Sequence, residues 1–464
     1  MITLRFGQLA EITGGRLGLP ALRERAFTGI STDSRTVEAG QLFFAIKGDR
    51  HDGHDHLAEV VARRAAGAVV GGRFAPQDDL PPTFSLVQVE DTHDAMLRLA
   101  RWYLDQTPAR RVGITGSNGK TTTKEYAFRL LSAVESKAYR SPGNFNNLFG
   151  APLAVFAMPL DTRVTILEMG ISVPGEMARL ASVVRPDVVA ITNVSATHLE
   201  QLGSVEAVAR EKLSMLRHGA PDAPLVVNAD DELLLREAVA TGRTIVTFAV
   251  RSEAHFHPQS LTTDPDGSVT VAIDGDRFRL TLFGAYQVYN LLAAYAIART
   301  LGYRFKEVDT MSLRLGTSAL RGEILARRGI TFISDCYNAN PEAVTAGLES
   351  FAAYPGGSRR IIILGDMLEL GKDESRFHRE IGYSLAETAC DFAVLVGPRS
   401  AHTLDAAREA GMPAGKLSHF TDAGACADAM TAFLRPGDLV YLKASRGIGL
   451  EAVLNKFRRA EGDA

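Results

Sequence analysis

One segment constrains this chain more than any other: Gly116-Ser-Asn-Gly119-Lys120-Thr121-Thr122. It lies between a strand-like run, Arg110–Thr115, and a stretch that reads as helix from Lys124 onward. Glycines let the backbone turn tightly, so that amide N–H groups face phosphate oxygens at a helix N-terminus. In that geometry Lys120 reaches the outer phosphates of a nucleotide, and the Thr121 hydroxyl can ligate magnesium. The general pattern asks for one more glycine, five residues before Gly119, where this chain has Ile114. A glycine-rich turn with no ligand is the competing explanation.

The surroundings favour the phosphate loop. Short apolar runs at Val112–Ile114, Val164–Leu167, Val188–Ile191 and Leu225–Val227 alternate with helical patterns. Such alternation predicts a mostly parallel sheet covered by helices on both faces. Val269, Val271 and Ile273, then Asp274-Gly275, then Phe278, Leu280 and Leu282 predict an antiparallel hairpin. The alternation restarts after about Leu315, with runs at Thr331–Ile333, Ile361–Leu364, Phe392–Val396 and Leu439–Leu442. Before the loop, Leu42–Ile46, Ala68–Val70 and Phe84–Val87 are strand-like, and Pro76, Pro81 and Pro82 mark the end of that unit. Met96, Leu99, Ala100, Tyr103 and Leu104 then repeat at helical spacing, as one apolar face leading into the second unit. The expectation is an α/β protein of three domains: 1–88, 89–314 and 315–464.

The chain's 464 residues are too many for one ordinary core. A formal charge of -3 gives no broad case for nucleic acid or an anionic membrane. Three scattered cysteines suggest a reducing compartment without a disulfide frame. The start lacks a signal-peptide pattern, and no apolar stretch approaches the roughly 20 residues needed to cross a bilayer. A cytoplasmic, monomeric protein is expected.

Ile114-Thr-Gly-Ser-Asn-Gly-Lys-Thr-Thr-Thr-Lys-Glu125 closely resembles the nucleotide loop of the Mur ligase family, which also lacks that first glycine. Ser31-Thr-Asp-Ser-Arg35 with Gly40–Gly48 is similar to the family's uridine-nucleotide module, and Gly143-Asn-Phe-Asn-Asn147 to its substrate loop. Leu167–Gly170 and Asn193–His198 are similar to its metal segments. Asp335-Cys-Tyr-Asn-Ala-Asn-Pro341, Leu364–Gly371 and Lys443-Ala-Ser-Arg446 point to the member that uses a UDP-N-acetylmuramoyl-tripeptide and D-alanyl-D-alanine. The Asp-Asn-Pro-Arg segment of the sister ligase for diamino acids is absent from the sequence.

The resemblance implies a central ATPase-like domain and a C-terminal Rossmann-like domain that binds the dipeptide. It also implies ATP and Mg2+, and activation of the tripeptide carboxylate as an acyl phosphate before the dipeptide amine attacks. By carry-over, ATP is bound by Gly116, Ser117, Asn118, Gly119, Lys120, Thr121, Thr122, Asn290, Arg321 and Asp335. Magnesium is held by Thr121, Glu168 and His198. Substrates are bound by Ser31, Asp33, Ser34, Arg35, Lys47, Asn146, Asn147, Asn338 and Asn340. Lys120, His198 and Lys212 serve catalysis, Lys212 as a carbamate.

Each assignment has a plainer competitor. Glu168 could be a solvated strand end, His198 a loop hydrogen bond, and Asn338 and Asn340 ordinary turn chemistry before proline. Ser-Thr-Asp-Ser also resembles a helix cap. Lys212, taken by itself, reads as a surface lysine on a charged helix. His51, His54 and His56 read as a solvated loop. Tyr286 and Gln287 stand where the family often has His-Asn, so no role carries onto them. Sister Mur ligases, folylpolyglutamate synthases and motor ATPases are the rival functions. The uridine-like module and Tyr337–Pro341 speak against the first two, and the third domain against the last.

Overall fold

The computed structural model describes residues 3–48, 51–72, 74, 80–264, 267–313, 315 and 319–458. Pro76 and residue 314, the expected end of the central unit, lie outside the described residues.

The first unit holds a five-stranded sheet in the order Arg16–Leu17, Ser85–Val89, Gly67–Gly71, Leu42–Phe44, Ile30–Ser31. All neighbours are parallel except the first pair. The helix Thr92–Asp105 follows, with Asp91 capping it by accepting from the Asp94 amide. The sequence suggests one apolar face, but the helix serves two cores. Ala95, Met96 and Leu99 pack into the first unit. Leu97, Ala100, Tyr103 and Leu104 pack into the second. A stripe this wide welds the domains instead of linking them loosely.

The central sheet is six-stranded and wholly parallel, in the order Ile245–Phe248, Leu225–Asn228, Val188–Ile191, Arg110–Thr115, Val164–Glu168, Ala138–Arg140. Both faces are covered, as expected for parallel strands. Successive side chains of Val188–Ile191 alternate between the two cores: Val188 and Ala190 enter one, Val189 and Ile191 the other. The helix Gln287–Thr300 is buried on nearly every side against the first of these cores. The expected hairpin joins Val269–Ile273 to Asp276–Leu280. Asp274 and Gly275 both take left-handed backbone in its turn, and Ser260–Thr263 adds a third antiparallel strand. Leu315, expected to open the third unit, packs in the central core and bridges to Leu280.

The third sheet has the order Glu323–Arg327, Ile330–Ser334, Asp438–Lys443, Arg359–Gly365, Phe392–Val396, Leu417–Phe420. It is parallel save for its first, antiparallel edge strand. Among the described residues no helix is long and apolar enough to cross a membrane.

Candidate active site

The strands Arg110–Thr115, Val164–Glu168 and Val188–Ile191 release their chains at the same edge of the central sheet, where open parallel sheets bind ligands. Facing this edge are Asp335, just after strand Ile330–Ser334, and Lys443, the last residue of Asp438–Lys443. The two domains enclose a cleft of about 800 Å³ lined by both.

The helix after the loop starts at Lys120, four residues before the expected Lys124, so Thr121 and Thr122 lie in its first turn. Gly119 is left-handed (φ 80°), and a Cβ there would collide with the Asn290 carboxamide. At Gly116 it would collide with the Thr192 hydroxyl. The loop is pinned to the segment 192–197. The Ser117 amide donates to the Asn193 carbonyl at 2.9 Å, and Ser117 Oγ accepts from the Ser195 amide at 2.9 Å. Lys120 folds back, its Nζ donating to the Gly116 and Ser117 carbonyls at 2.7 and 3.2 Å. Burial pushes its ammonium down to about 8; Glu168 opposes that shift and Arg321 adds to it.

Glu168 is 1% exposed. Its Oε1 accepts from Thr121 Oγ1 at 3.0 Å and Asn146 Nδ2 at 2.8 Å. Its Oε2 is buried with no hydrogen-bond partner among the described residues, 3.5 Å from Lys124 Nζ. A hydroxyl and a buried carboxylate with a spare oxygen suit a hard cation that takes few protein ligands. Among the described residues no cluster of three or more His, Cys, Asp or Glu side chains is gathered as a metal cage. Lys124, which sequence reading passed over, is completely buried and donates to the Gly143 carbonyl at 2.6 Å. It thereby ties the loop bearing Asn146 and Asn147 to the phosphate-loop helix. Asn147 Oδ1 accepts from the Gly150 amide at 2.7 Å, folding that loop on itself.

Lys212 corrects the plainest sequence expectation. It is no surface lysine: only 2% exposed, it lies on the buried face of helix Val205–Leu213 with Val208 and Ala209. No carboxylate stands within ion-pair distance among the described residues. Burial pushes its amine well below the ordinary lysine range, the nearby Lys120 ammonium lowers it further, and Glu211 opposes both.

His198 lines the cleft in left-handed backbone (φ 54°). Its Nδ1 lies 2.5 Å from Glu369 Oε2 of the third domain, and Glu369 is also left-handed (φ 64°). Glu369 belongs to the Leu364–Gly371 segment matched in sequence, but nothing there marked it as the partner of His198.

Asn290 is enclosed. Its Nδ2 donates to Gln287 Oε1 at 3.0 Å, and its Oδ1 accepts from Thr123 Oγ1 at 3.3 Å. Tyr286 donates across the domain boundary to Asp335 Oδ2 at 3.3 Å. The same oxygen accepts from Tyr441 at 3.4 Å and Lys443 Nζ at 2.7 Å. Arg321 lies over the Tyr337 ring at 3.7 Å. Asn338 lines the cleft, whereas Asn340 caps the helix Pro341–Ala353 and contacts Asn118.

Ser31, Asp33, Ser34, Arg35 and Lys47 do not line this cleft. Arg35 holds Asp33 through two side-chain bonds of 2.9 and 2.7 Å, which with the Arg35 amide keep that carboxyl down to about 2. Ser34 donates to Glu59 at 2.8 Å. His54 is not simply solvated: it pairs with Asp52 and accepts from the Gly71 amide at 2.9 Å.

A phosphate-binding loop, a buried carboxylate and a second Rossmann-like wall define a nucleotide-dependent enzyme whose site closes between domains. Three family models match in sequence: the Mur ligase family catalytic domain over 26–80, the Mur ligase middle domain over 114–298, and the Mur ligase glutamate ligase domain over 320–446. The chain belongs to the Mur ligase family. Within that family its likeness is to MurF. It is 31% identical over 456 residues to the UDP-N-acetylmuramoyl-tripeptide–D-alanyl-D-alanine ligase of Bacillus subtilis, covering 98% of each chain. It superposes on MurF from Acinetobacter baumannii with a TM-score of 0.88 at 26% identity, covering 98% and 99% of the two chains. MurF from Thermotoga maritima in complex with ADP gives 0.79 at 28% identity, with 92% and 96% covered.

Proposed function

We propose that this protein joins D-alanyl-D-alanine to a UDP-N-acetylmuramoyl-tripeptide, releasing ADP and phosphate. It is an ATP-dependent ligase of peptidoglycan synthesis. The observation that carries this reading is the cleft, in which the phosphate loop faces Tyr337 and Asn338 across a domain boundary.

A free carboxylate is a poor electrophile, so phosphorylation must precede attack by an amine. Phosphoryl transfer asks the protein chiefly for position and charge neutralisation. Amides of Gly116 to Thr122 cradle the phosphates. Lys120, now spending its donors on the loop's own carbonyls, turns them to the transferring phosphoryl group, and Arg321 adds a second cation. Thr121 and Glu168 would hold magnesium, with His198 beside a second ion; the metal supplies neutralisation of phosphate charge. Asn290 and Asp335 bound the nucleoside pocket. Asn146 and Asn147 flank the tripeptide, Ser31, Asp33, Ser34, Arg35 and Lys47 serve the uridine diphosphate, and Asn338 and Asn340 serve the dipeptide segment. The proposed domains run 1–88, 89–314 and 315–464, with Leu315 itself packed on the central one.

Lys212 becomes a carbamate. Its buried amine, held well below the ordinary lysine range, can add in its neutral form to carbon dioxide, losing a proton. The product is an anion that attracts Lys120, at a position where Lys120 disfavours an ammonium.

The test is phosphate release from ATP. It should require both a UDP-muramoyl tripeptide and D-alanyl-D-alanine. Turnover with a dipeptide-bearing nucleotide and a free diamino acid instead would overturn the reading.

A further inference from the structure

Asn118 sits at the tip of the phosphate loop, and Asn340 ends the segment that opens the third domain's first long helix. Their side chains meet across 222 residues of sequence. Asn340 Nδ2 donates to Asn118 Oδ1 at 2.7 Å, and Asn118 Nδ2 faces Asn340 Oδ1 at 3.4 Å. A reciprocal pair of this kind needs a donor and an acceptor on both sides, which carboxamides supply.

Both partners are fixed from behind. The Asn118 amide donates to Asn193 Oδ1 at 2.8 Å, and its carbonyl accepts from Thr192 Oγ1 at 2.5 Å. Asn340 is 2% exposed, and its Oδ1 also accepts from the Ala343 amide at 3.0 Å as the cap of helix Pro341–Ala353. With Oδ1 committed to the cap and Nδ2 to Asn118, little of Asn340 is left for a dipeptide, and it does not line the cleft.

We infer that Asn340 is a positioning residue that reads the phosphate loop through Asn118 and, from there, sets the dipeptide segment around Asn338. This inference rests on the proposed ligase reading. A nucleotide that holds the loop tip in this position also favours this position of the helix cap, and dipeptide binding is strengthened by nucleotide without direct contact between the two ligands.

The experiment is a double-mutant cycle on the full-length enzyme with Asn118→Ala, Asn340→Asp and the double variant. Asn340→Asp keeps an oxygen for the helix cap but loses the donor to Asn118. Steady-state KM for D-alanyl-D-alanine, KM for ATP, kcat and thermal melting are measured for each. Each single variant should raise the dipeptide KM by about tenfold, the worth of one buried hydrogen bond. The double variant should be no worse than the weaker single one, with melting held within a few degrees. Dipeptide binding followed by calorimetry should tighten with a non-hydrolysable ATP analogue in the parent and lose that gain in the variants. Multiplying KM effects in the double variant would overturn the inference, because they mark two independent contacts. So would an unchanged dipeptide KM in Asn340→Asp. A parent with no dipeptide-dependent phosphate release would instead refute the ligase reading.

Discussion

The two walls of the cleft hold their polar groups in different ways. On the central wall the supports act mainly on the loop's main chain: Lys120 rests on the carbonyls of Gly116 and Ser117, and the amides of Ser117 and Asn118 and the Asn118 carbonyl bond to the neighbouring strand's segment at Thr192 and Asn193. On the third-domain wall the supports are side chains from distant places. Asp335 is held by Lys443, Tyr441 and Tyr286, the last from the central domain. A wall anchored through many main-chain groups keeps its shape when a side chain is removed. A wall built on mutual side-chain bonds does not, so equivalent substitutions should separate chemistry from folding on one side and confound them on the other.

The largest effect tests the first half of that statement. Lys120→Ala should lower phosphate release by about 10²–10³, the usual worth of a donor aimed at developing charge. Melting should stay near the parent's, since the side chain contributes no core contact. A loss below about tenfold would sink the phosphate role.

Next comes the opposite wall. Lys443 and Asp335 have side chains only 4% and 13% exposed. Lys443→Met leaves a buried carboxylate with two tyrosine hydroxyls, and should cost about 3 kcal/mol in chemical denaturation. Adding Asp335→Asn should recover much of this, because a neutral amide needs no counter-ion. A Lys443→Met protein as stable as its parent would show that the two walls are not built differently.

The same distinction explains what could be read from sequence. The phosphate loop and the Asp274-Gly275 hairpin were legible because both are local: glycine spacing and period-two alternation specify them. Ala138–Arg140 has no apolar run, and only its parallel pairing with Val164–Ile166 makes it a strand. Lys212 read as surface because Arg210-Glu211-Lys212 is charged. Yet Val205, Val208, Ala209 and Lys212 fall at i, i+3, i+4 and i+7, and that spacing was the missed signal. Glu369 and Lys124 had no such signal. Their roles depend on domains and loops meeting, and the family match indicated the segment without the partner.

A third prediction turns on Lys212. Without carbon dioxide its folded pKa lies well below the unfolded value of 10.5. The unfolded chain therefore binds more protons between the two values, and stability rises with pH across that window. In bicarbonate-free buffer Lys212→Met should be more stable than the parent near pH 7, with the gap closing toward pH 10.5. Bicarbonate should raise the parent's melting temperature and leave Lys212→Met unmoved. A parent indifferent to bicarbonate would leave Lys212 as a buried amine.

The smallest effect lies where the walls touch. His198 and Glu369 pair at 2.5 Å, but their side chains are 24% and 58% exposed, so solvent screens the contact. Glu369→Gln keeps an oxygen to accept from the imidazole N–H and removes the charge, and should cost no more than about 0.2–1 kcal/mol. The bond to His198 holds the Glu369 carboxyl below its usual range. Its contribution is therefore present above the unfolded value near 4.5 and fades as pH falls through the lower folded value. Parent and variant should melt apart at pH 6 and converge at more acid pH. Two left-handed residues, one from each domain, are brought together for this weak bond, so its value lies in where the walls meet and not in how tightly. If so, Glu369→Gln should alter the KM values of the substrates held between the domains by a few-fold while leaving ADP affinity unchanged. Equal changes in both would place Glu369 among the nucleotide contacts and erase the difference between the walls at this point.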